Sequence, residues 1–349
     1  MLNKIFTTLL VFVPITIIAH MYGASPIVTF IMSALAIIPL AKFIGEATEE
    51  LTVYTGPALG GLLNATFGNA TELIIGIFAL QAGLVEVVKA SITGSILGNL
   101  LLVLGSAIFF GGIKKKKQSF NATAAKASGS TLLLAVIALV IPAIFLQTSS
   151  VSSIGPVENL SIIVSFVLII TYLASLVFSL YTHKHLYTGD VGKYEARWSI
   201  PKSVTILLIS TVAVAFMSEI LVGSIEPLVA SLGWTELFIG VIFVAIIGNA
   251  AEHTSAITMA IKDKMDLTLQ ISIGSATQIA MLVAPVLVLA SLFFQTRMNL
   301  VFNTFELVSI VFSVFVVNAV IEDGESNWLE GMQLLAAYII IAVAFYFHP

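Results

Sequence analysis

The stretch FGNATELIIG, Phe67 to Gly76, breaks an apolar run with a glycine, an amide and a carboxylate. It returns 180 residues later as IGNAAEHTSA, Ile247 to Ala256. Laid over each other without a gap, 68–105 and 248–285 share nine identities in 38 positions. Gly68, Asn69, Ala70 and Glu72 fall on Gly248, Asn249, Ala250 and Glu252, and Gly94-Ser95 falls on Gly274-Ser275. Apolar sequence matches by chance at several positions. The rare letters, G-N-A-x-E and G-S in one register, carry the repeat.

The surroundings of both copies are those of a membrane protein. Hydrophobic residues make up 58% of the 349 and charged residues 10%, against about 25% charged in a soluble domain. Mean hydropathy is +1.07. Runs of ~20 apolar residues recur throughout and read as bilayer spans. The spacing predicts eleven transmembrane helices near 5–22, 25–48, 57–83, 85–110, 129–147, 157–181, 203–223, 235–261, 267–294, 304–321 and 328–347. Pro, Gly or charge marks most joins, including Gly56-Pro57, Gly155-Pro156 and Gly189-Asp190. Lys4 followed by Phe6–Ala19 could open a signal peptide, but further spans follow at once, so it reads as a retained first span.

With no cysteine, disulfides, thiolate catalysis and Cys-ligated metal are excluded. A net charge of −4 with no basic stripe argues against nucleic acid. There is no H-E-x-x-H, and no G-x-S-x-G with a partner histidine, so an enzyme is not expected.

Lysine and arginine set the expected orientation. Eleven spans put Lys4, Lys114–Lys117, Lys126, Lys184, Lys193, Arg197, Lys202, Lys262 and Lys264 on one face, twelve in all, against Lys89 and Arg297 on the other. The N-terminus is then cytoplasmic and the C-terminus outside.

The motifs sit in spans 3–4 and 8–9. A displacement of five spans is odd, so the second copy threads the membrane backwards. Inverted repeats are a transporter architecture, with the substrate site at the midplane. The expected plan is an extra N-terminal helix (1–24), a five-helix repeat (25–182), a cytoplasmic linker (183–202) and a second five-helix repeat (203–349).

Charge in hydrocarbon is costly, so Glu72 and Glu252 must face protein or a water-filled cavity. Asn69 and Glu72 are three apart, as are Asn249 and Glu252, which on a helix places amide and carboxylate on one face. Gly68 and Gly76, at ±4 from Glu72, allow close approach or a break. Two such faces meeting would offer carboxylate and amide oxygens without nitrogen or sulfur, a donor set suited to Ca²⁺. The same carboxylates can carry protons, and two facing ones titrate as a pair. A divalent cation drives the protons off, which is the physical content of exchange. Ser95 and Ser275 are further candidates for the site. Glu219, within span seven, is a further candidate site acid, and Glu50 and Glu226, which correspond in the repeat, are candidates to flank the cavity as a relay or an ion vestibule. His253 reads as a packed neighbour of Glu252, Glu306 as interfacial, and Glu322, Asp323, Glu325 and Glu330 as solvated.

GNATELIIGIFAL and GNAAEHTSAI resemble the two signature repeats of the cation/proton exchanger family, the Ca²⁺/H⁺ antiporters, and the similarity extends over nearly the whole chain. The resemblance implies proton-driven Ca²⁺ export from a bacterial-type plasma membrane, with Glu72 and Glu252 as central exchange carboxylates beside Asn69 and Asn249. It also implies that the second and seventh helices gate access. Ca²⁺ and H⁺ are then transported substrates and the bilayer the only expected partner; oligomeric state is left open. Some members carry an acidic stretch between the halves, whereas here the linker is net basic. Two alternatives remain: a Na⁺/Ca²⁺ exchanger, which needs further Ser, Thr or Asp oxygens near the pair, and a cation channel, which needs no inverted repeat.

Overall fold

The computed structural model describes residues 2–149, 155–187 and 196–348; the expected join at Gly189-Asp190, Lys193 and the middle of the linker lie outside them. Nearly all of the described chain is helical, with one two-residue ladder pairing Gln118–Ser119 with Glu325–Ser326.

Among the described residues, eight helices are long and apolar enough to cross a bilayer, or nine if the bent pair Glu236–Gly248 and Ala250–Ile261 is one span. This is fewer than the eleven expected. The other two expected spans correspond to shorter apolar helices, Ala70–Gln81 and Thr304–Val320. The third expected span is shortened because the chain breaks inside the first motif. Large apolar side chains stand outward along these helices, among them Ile137, Ile141, Ile163, Val167, Ile170, Ile209 and Val212. A helix can bury its apolar exterior in lipid because its backbone is satisfied internally. The chain is an integral membrane protein.

Local signals set the helix ends. Ser25 caps Pro26–Phe67 with proline in the first turn. Asn303 with Glu306 and Asn327 with Glu330 form capping boxes. The second expected span does not stop at 48. Its helix continues through Glu46, Glu49 and Glu50, helped by Lys42 3.4 Å from Glu46 one turn before. It kinks at Gly56, whose φ of 75° is left-handed.

The chain divides into two compact units, each built from both halves of the sequence: Met1–Ser91 with Asp190–Ala251, and Ile92–Gly189 with Glu252–His348. In the first, Ile200–Gly223 packs along Pro26–Phe67, burying Ala36, Ile37, Ile44, Val214, Met217 and Leu221. In the second, Leu104–Gly112 packs on Trp328–Phe347, over a core of Leu100, Leu101, Leu104, Ile108, Leu334 and Phe345. Among the described residues four π-helical turns interrupt the helices, at Gly98–Val103, Phe178–Thr182, Ile239–Val244 and Ile279–Val283. Such turns concentrate near functional sites. Three of the four lie within two helical turns of Ser95, Gly248 or Ser275.

Candidate functional site

Both motifs fold into the same local form. The helix Pro26–Phe67 ends at Gly68, Asn69 leaves helical geometry at φ −115°, ψ 29°, and Ala70–Gln81 begins with Glu72 in its first turn. In the second copy Ala245–Gly248 ends, Asn249 sits at φ −89°, ψ 13°, and Ala250–Ile261 starts with Glu252 in its first turn. The axis there bends by 60°. The expectation of amide and carboxylate side by side on one continuous helix is therefore corrected. Each asparagine occupies a break, and each glutamate lies just inside the helix that follows. Several backbone N–H groups at a helix start lack intrahelical partners and favour negative charge. Gly68 suits the first break because a Cβ there would collide with the Asn64 carbonyl.

The first unit holds three polar groups of the motifs. Asn69 and Asn249 are each 1% exposed. Asn249 Nδ2 donates to the Ala245 carbonyl at 2.8 Å, committing its donor side to the helix just ended. Both carboxylate oxygens of Glu72 are buried, and neither has a hydrogen-bond partner among the described residues. Gly248 of the other motif covers this side chain. A Cβ on Gly248 would lie 3.0 Å from Glu72 Cγ and 3.2 Å from its carboxyl carbon. A buried carboxylate without donors is among the costliest arrangements in a protein. It calls for a positive partner, which a proton or a metal ion can supply.

The second unit holds Glu252, Ser95 and Ser275. Glu252 is half-buried, as is His253, whose Nε2 is buried without a hydrogen-bond partner among the described residues. Ser95 and Ser275 are buried. Asn99, fully buried on the π-helical turn Gly98–Val103, donates from Nδ2 to Ser275 Oγ at 3.1 Å. Sequence reasoning passed over Asn99. The available signal was an amide in the apolar run ILGNLLLVL, one turn after Ser95.

The gating candidates separate. Glu219 and Glu226 are exposed on the first unit. Glu50 is fully buried and is not an open vestibule acid. Its Oε2 accepts from the backbone N–H of Arg197 at 2.6 Å and of Trp198 at 3.0 Å, and its Oε1 accepts from Arg197 Nε at 3.0 Å. One turn later Tyr54 donates its hydroxyl to the Trp198 carbonyl at 2.8 Å. Glu50 and Tyr54 therefore anchor the end of the linker on the long helix. Glu306 is likewise fully buried instead of interfacial, accepting from Thr93 Oγ1 at 2.9 Å and from the N–H of Asn303 at 3.0 Å. Glu325 and Glu330 are half-buried instead of fully solvated, whereas Glu322 and Asp323 are exposed.

The described residues gather no cluster of three or more His, Asp or Glu. A cation held here would draw on few carboxylates supplemented by amide, hydroxyl and carbonyl oxygens, as suits Ca²⁺.

Residues 25–181 and 202–347 match the family model described as sodium/calcium exchanger protein. A Ca²⁺/H⁺ antiporter of Synechocystis is 50% identical over 365 residues, covering 99% of this chain and 98% of that protein. The Ca²⁺/H⁺ antiporter ChaA of Bacillus subtilis is 47% identical over 353 residues, covering 99% of both. Among solved structures, native YfkE superposes with a TM-score of 0.87 at 44% identity, covering 99% of this chain and 100% of that one. An H⁺/Ca²⁺ exchanger named CAX has a TM-score of 0.72 at 14% identity, over 99% and 92% of the two chains, a likeness of fold. A sodium-calcium exchanger stands further off, at 0.56 and 17%, over 91% and 97%.

Proposed function

The chain belongs to the sodium/calcium exchanger protein family, and we propose that within it the chain is a Ca²⁺/H⁺ antiporter. It is a transporter and not an enzyme, and Ca²⁺ and H⁺ are its substrates. Relatives at 47–50% identity named for this exchange support the assignment. Sodium coupling has the support only of the broad family description and a distant likeness of fold.

Glu72 and Glu252 are the exchange carboxylates, taking Ca²⁺ and protons in alternation, and Asn69 and Asn249 lend amide oxygens to the metal. The observation that carries this is Glu72, whose carboxylate is buried beneath Gly248 of the second motif without a donor among the described residues. A site that must release its ion cannot carry a permanent cationic side chain as partner. Protons and Ca²⁺ contend for the same oxygens, so an inward proton gradient expels Ca²⁺. Ser95 and Ser275, the latter held by Asn99, are further polar groups of the pathway.

The transporter is an extra first helix followed by two five-helix repeats of opposite threading, 25–182 and 203–349, joined by the linker 183–202. The recurrence of G-N-A-x-E and G-S in one register supports this plan, as do the equivalent breaks at Asn69 and Asn249. The twelve-to-two bias of Lys and Arg supports a cytoplasmic N-terminus and an external C-terminus, and the relatives of Synechocystis and Bacillus subtilis support a bacterial-type plasma membrane.

Inverted vesicles containing the protein should take up Ca²⁺ when their interior is acid, and lose that uptake when the gradient is collapsed. Uptake that followed a sodium gradient instead, or ran without either gradient, would overturn the antiport reading.

A further inference from the structure

Lys114–Lys117 form a run of four ammonium groups, and the structure gives them two different tasks. Lys115 Nζ lies 2.7 Å from Asp263 Oδ1, and Lys117 is paired with Glu325. Lys114 and Lys116 are exposed and form no ion pair among the described residues. The same holds for Lys262 and Lys264, which flank Asp263. One salt bridge thus knits two loops together, with uncompensated lysines on both sides of each partner.

The platform is built and not merely charged. Gln118 is buried, and its Nε2 donates to the Ala260 carbonyl at 2.9 Å and to Asp263 Oδ1 at 2.8 Å. Gln118 first, and then Lys115, hold the Asp263 carboxyl below the usual aspartate range. The ladder of Gln118 with Ser326 and Ser119 with Glu325, extended by the Phe120 N–H to the Gly324 carbonyl at 2.9 Å, ties in a third loop. Glu322 and Asp323 in that loop form no ion pair with the four lysines.

The depth of the platform is fixed by its neighbours. Ile113 and Ile261, 53% and 57% exposed, immediately precede Lys114 and Lys262. Trp328 is 46% exposed, and its backbone N–H lies 2.9 Å from where a Cβ on Gly112 would stand. Outward isoleucines belong in hydrocarbon, tryptophan at the interface and lysine among headgroups. Both lysine pairs begin one residue beyond an exposed isoleucine, which in a bilayer would set their ammonium groups near the level of lipid phosphates.

We propose that Lys114, Lys116, Lys262 and Lys264 form a binding site for the headgroup of an anionic phospholipid, drawn from the leaflet that surrounds this end of the second unit. Apolar surface directly beneath the lysines favours a lipid over free phosphate, because it receives the acyl chains while the ammonium groups hold the phosphate. Each lysine close to such a headgroup adds on the order of fivefold to affinity.

The test uses the full-length protein in detergent, with phosphatidylglycerol or phosphatidylcholine added and retained lipid counted by native mass spectrometry. The wild type should retain phosphatidylglycerol at least ~10-fold over phosphatidylcholine. The quadruple variant K114Q/K116Q/K262Q/K264Q should lose that preference, and each double variant should lose part of it. A control with equal loss of charge elsewhere, K4Q/K126Q/K184Q/K202Q, should keep it. Inorganic phosphate in excess should not displace the lipid. Undiminished preference in the quadruple variant would overturn the proposal, as would equal loss in the control or displacement by phosphate alone. Circular dichroism and Ca²⁺ uptake check that each variant is folded.

Discussion

Gly248 of the second motif packs against Glu72 of the first, close enough that a Cβ on the glycine would stand 3.0 Å from Glu72 Cγ. Two segments 176 residues apart in sequence therefore share one spot, and a backbone without a side chain shapes the space around a buried carboxylate.

Gly248→Ala should displace Glu72 while leaving the fold intact. The neighbour must give way by a few tenths of an ångström, at an overpacking cost of about 1–3 kcal/mol. We expect an apparent KM for Ca²⁺ raised roughly 5- to 140-fold, that cost converted at 1.4 kcal/mol per decade. Gly223→Ala, where nothing lies within 4 Å of the added Cβ, serves as control and should behave as wild type. Ca²⁺ uptake in proteoliposomes reads both, and equal behaviour of the two variants would show that the contact is indifferent.

Asn69→Ala and Asn249→Ala should weaken Ca²⁺ more than protons. An amide oxygen can ligate a metal but does not titrate near neutrality. The KM for Ca²⁺ should rise while its pH profile keeps its midpoint. A shifted midpoint at unchanged KM would make these residues part of the proton path.

Glu50→Ala should lower stability by ~2 kcal/mol, because it removes the shared acceptor of the Arg197 and Trp198 N–H groups. Glu50→Gln keeps an acceptor and should cost less, and Tyr54→Phe, which loses one exposed hydrogen bond, less again. Thermal unfolding in detergent ranks the three variants. The reverse ranking would contradict the anchoring role given to Glu50.

The membrane class, most helix positions and the two motifs were legible in the sequence because each is written in local composition. Apolar runs announce spans, and a glycine next to an asparagine in such a run announces trouble for a helix. The form of the trouble was not legible. Asn69 and Glu72 read as one helical face, whereas the chain breaks between Gly68 and Ala70 and puts the amide in the gap. Helical spacing describes residues only after a helix is known to continue through them. Partners distant in sequence were equally hidden. Glu50 meets Arg197 across 147 residues, Thr93 meets Glu306 across 213, and Asn99 meets Ser275 across 176. Each acid looked free because its partner lay elsewhere in the chain. The lysine run showed its charge in the sequence, but not that half of it is spent on Asp263 and Glu325.

The central claim is that protons and Ca²⁺ occupy the same two carboxylates, and calorimetry of Ca²⁺ binding in two buffers of different ionisation enthalpy tests it most directly. Metal displaces protons from its ligands, so the wild type should release about one to two protons per Ca²⁺, and the Glu72→Gln, Glu252→Gln double variant none. Proton release that persisted undiminished in the double variant, or Ca²⁺ binding by the wild type with no proton release, would contradict the account.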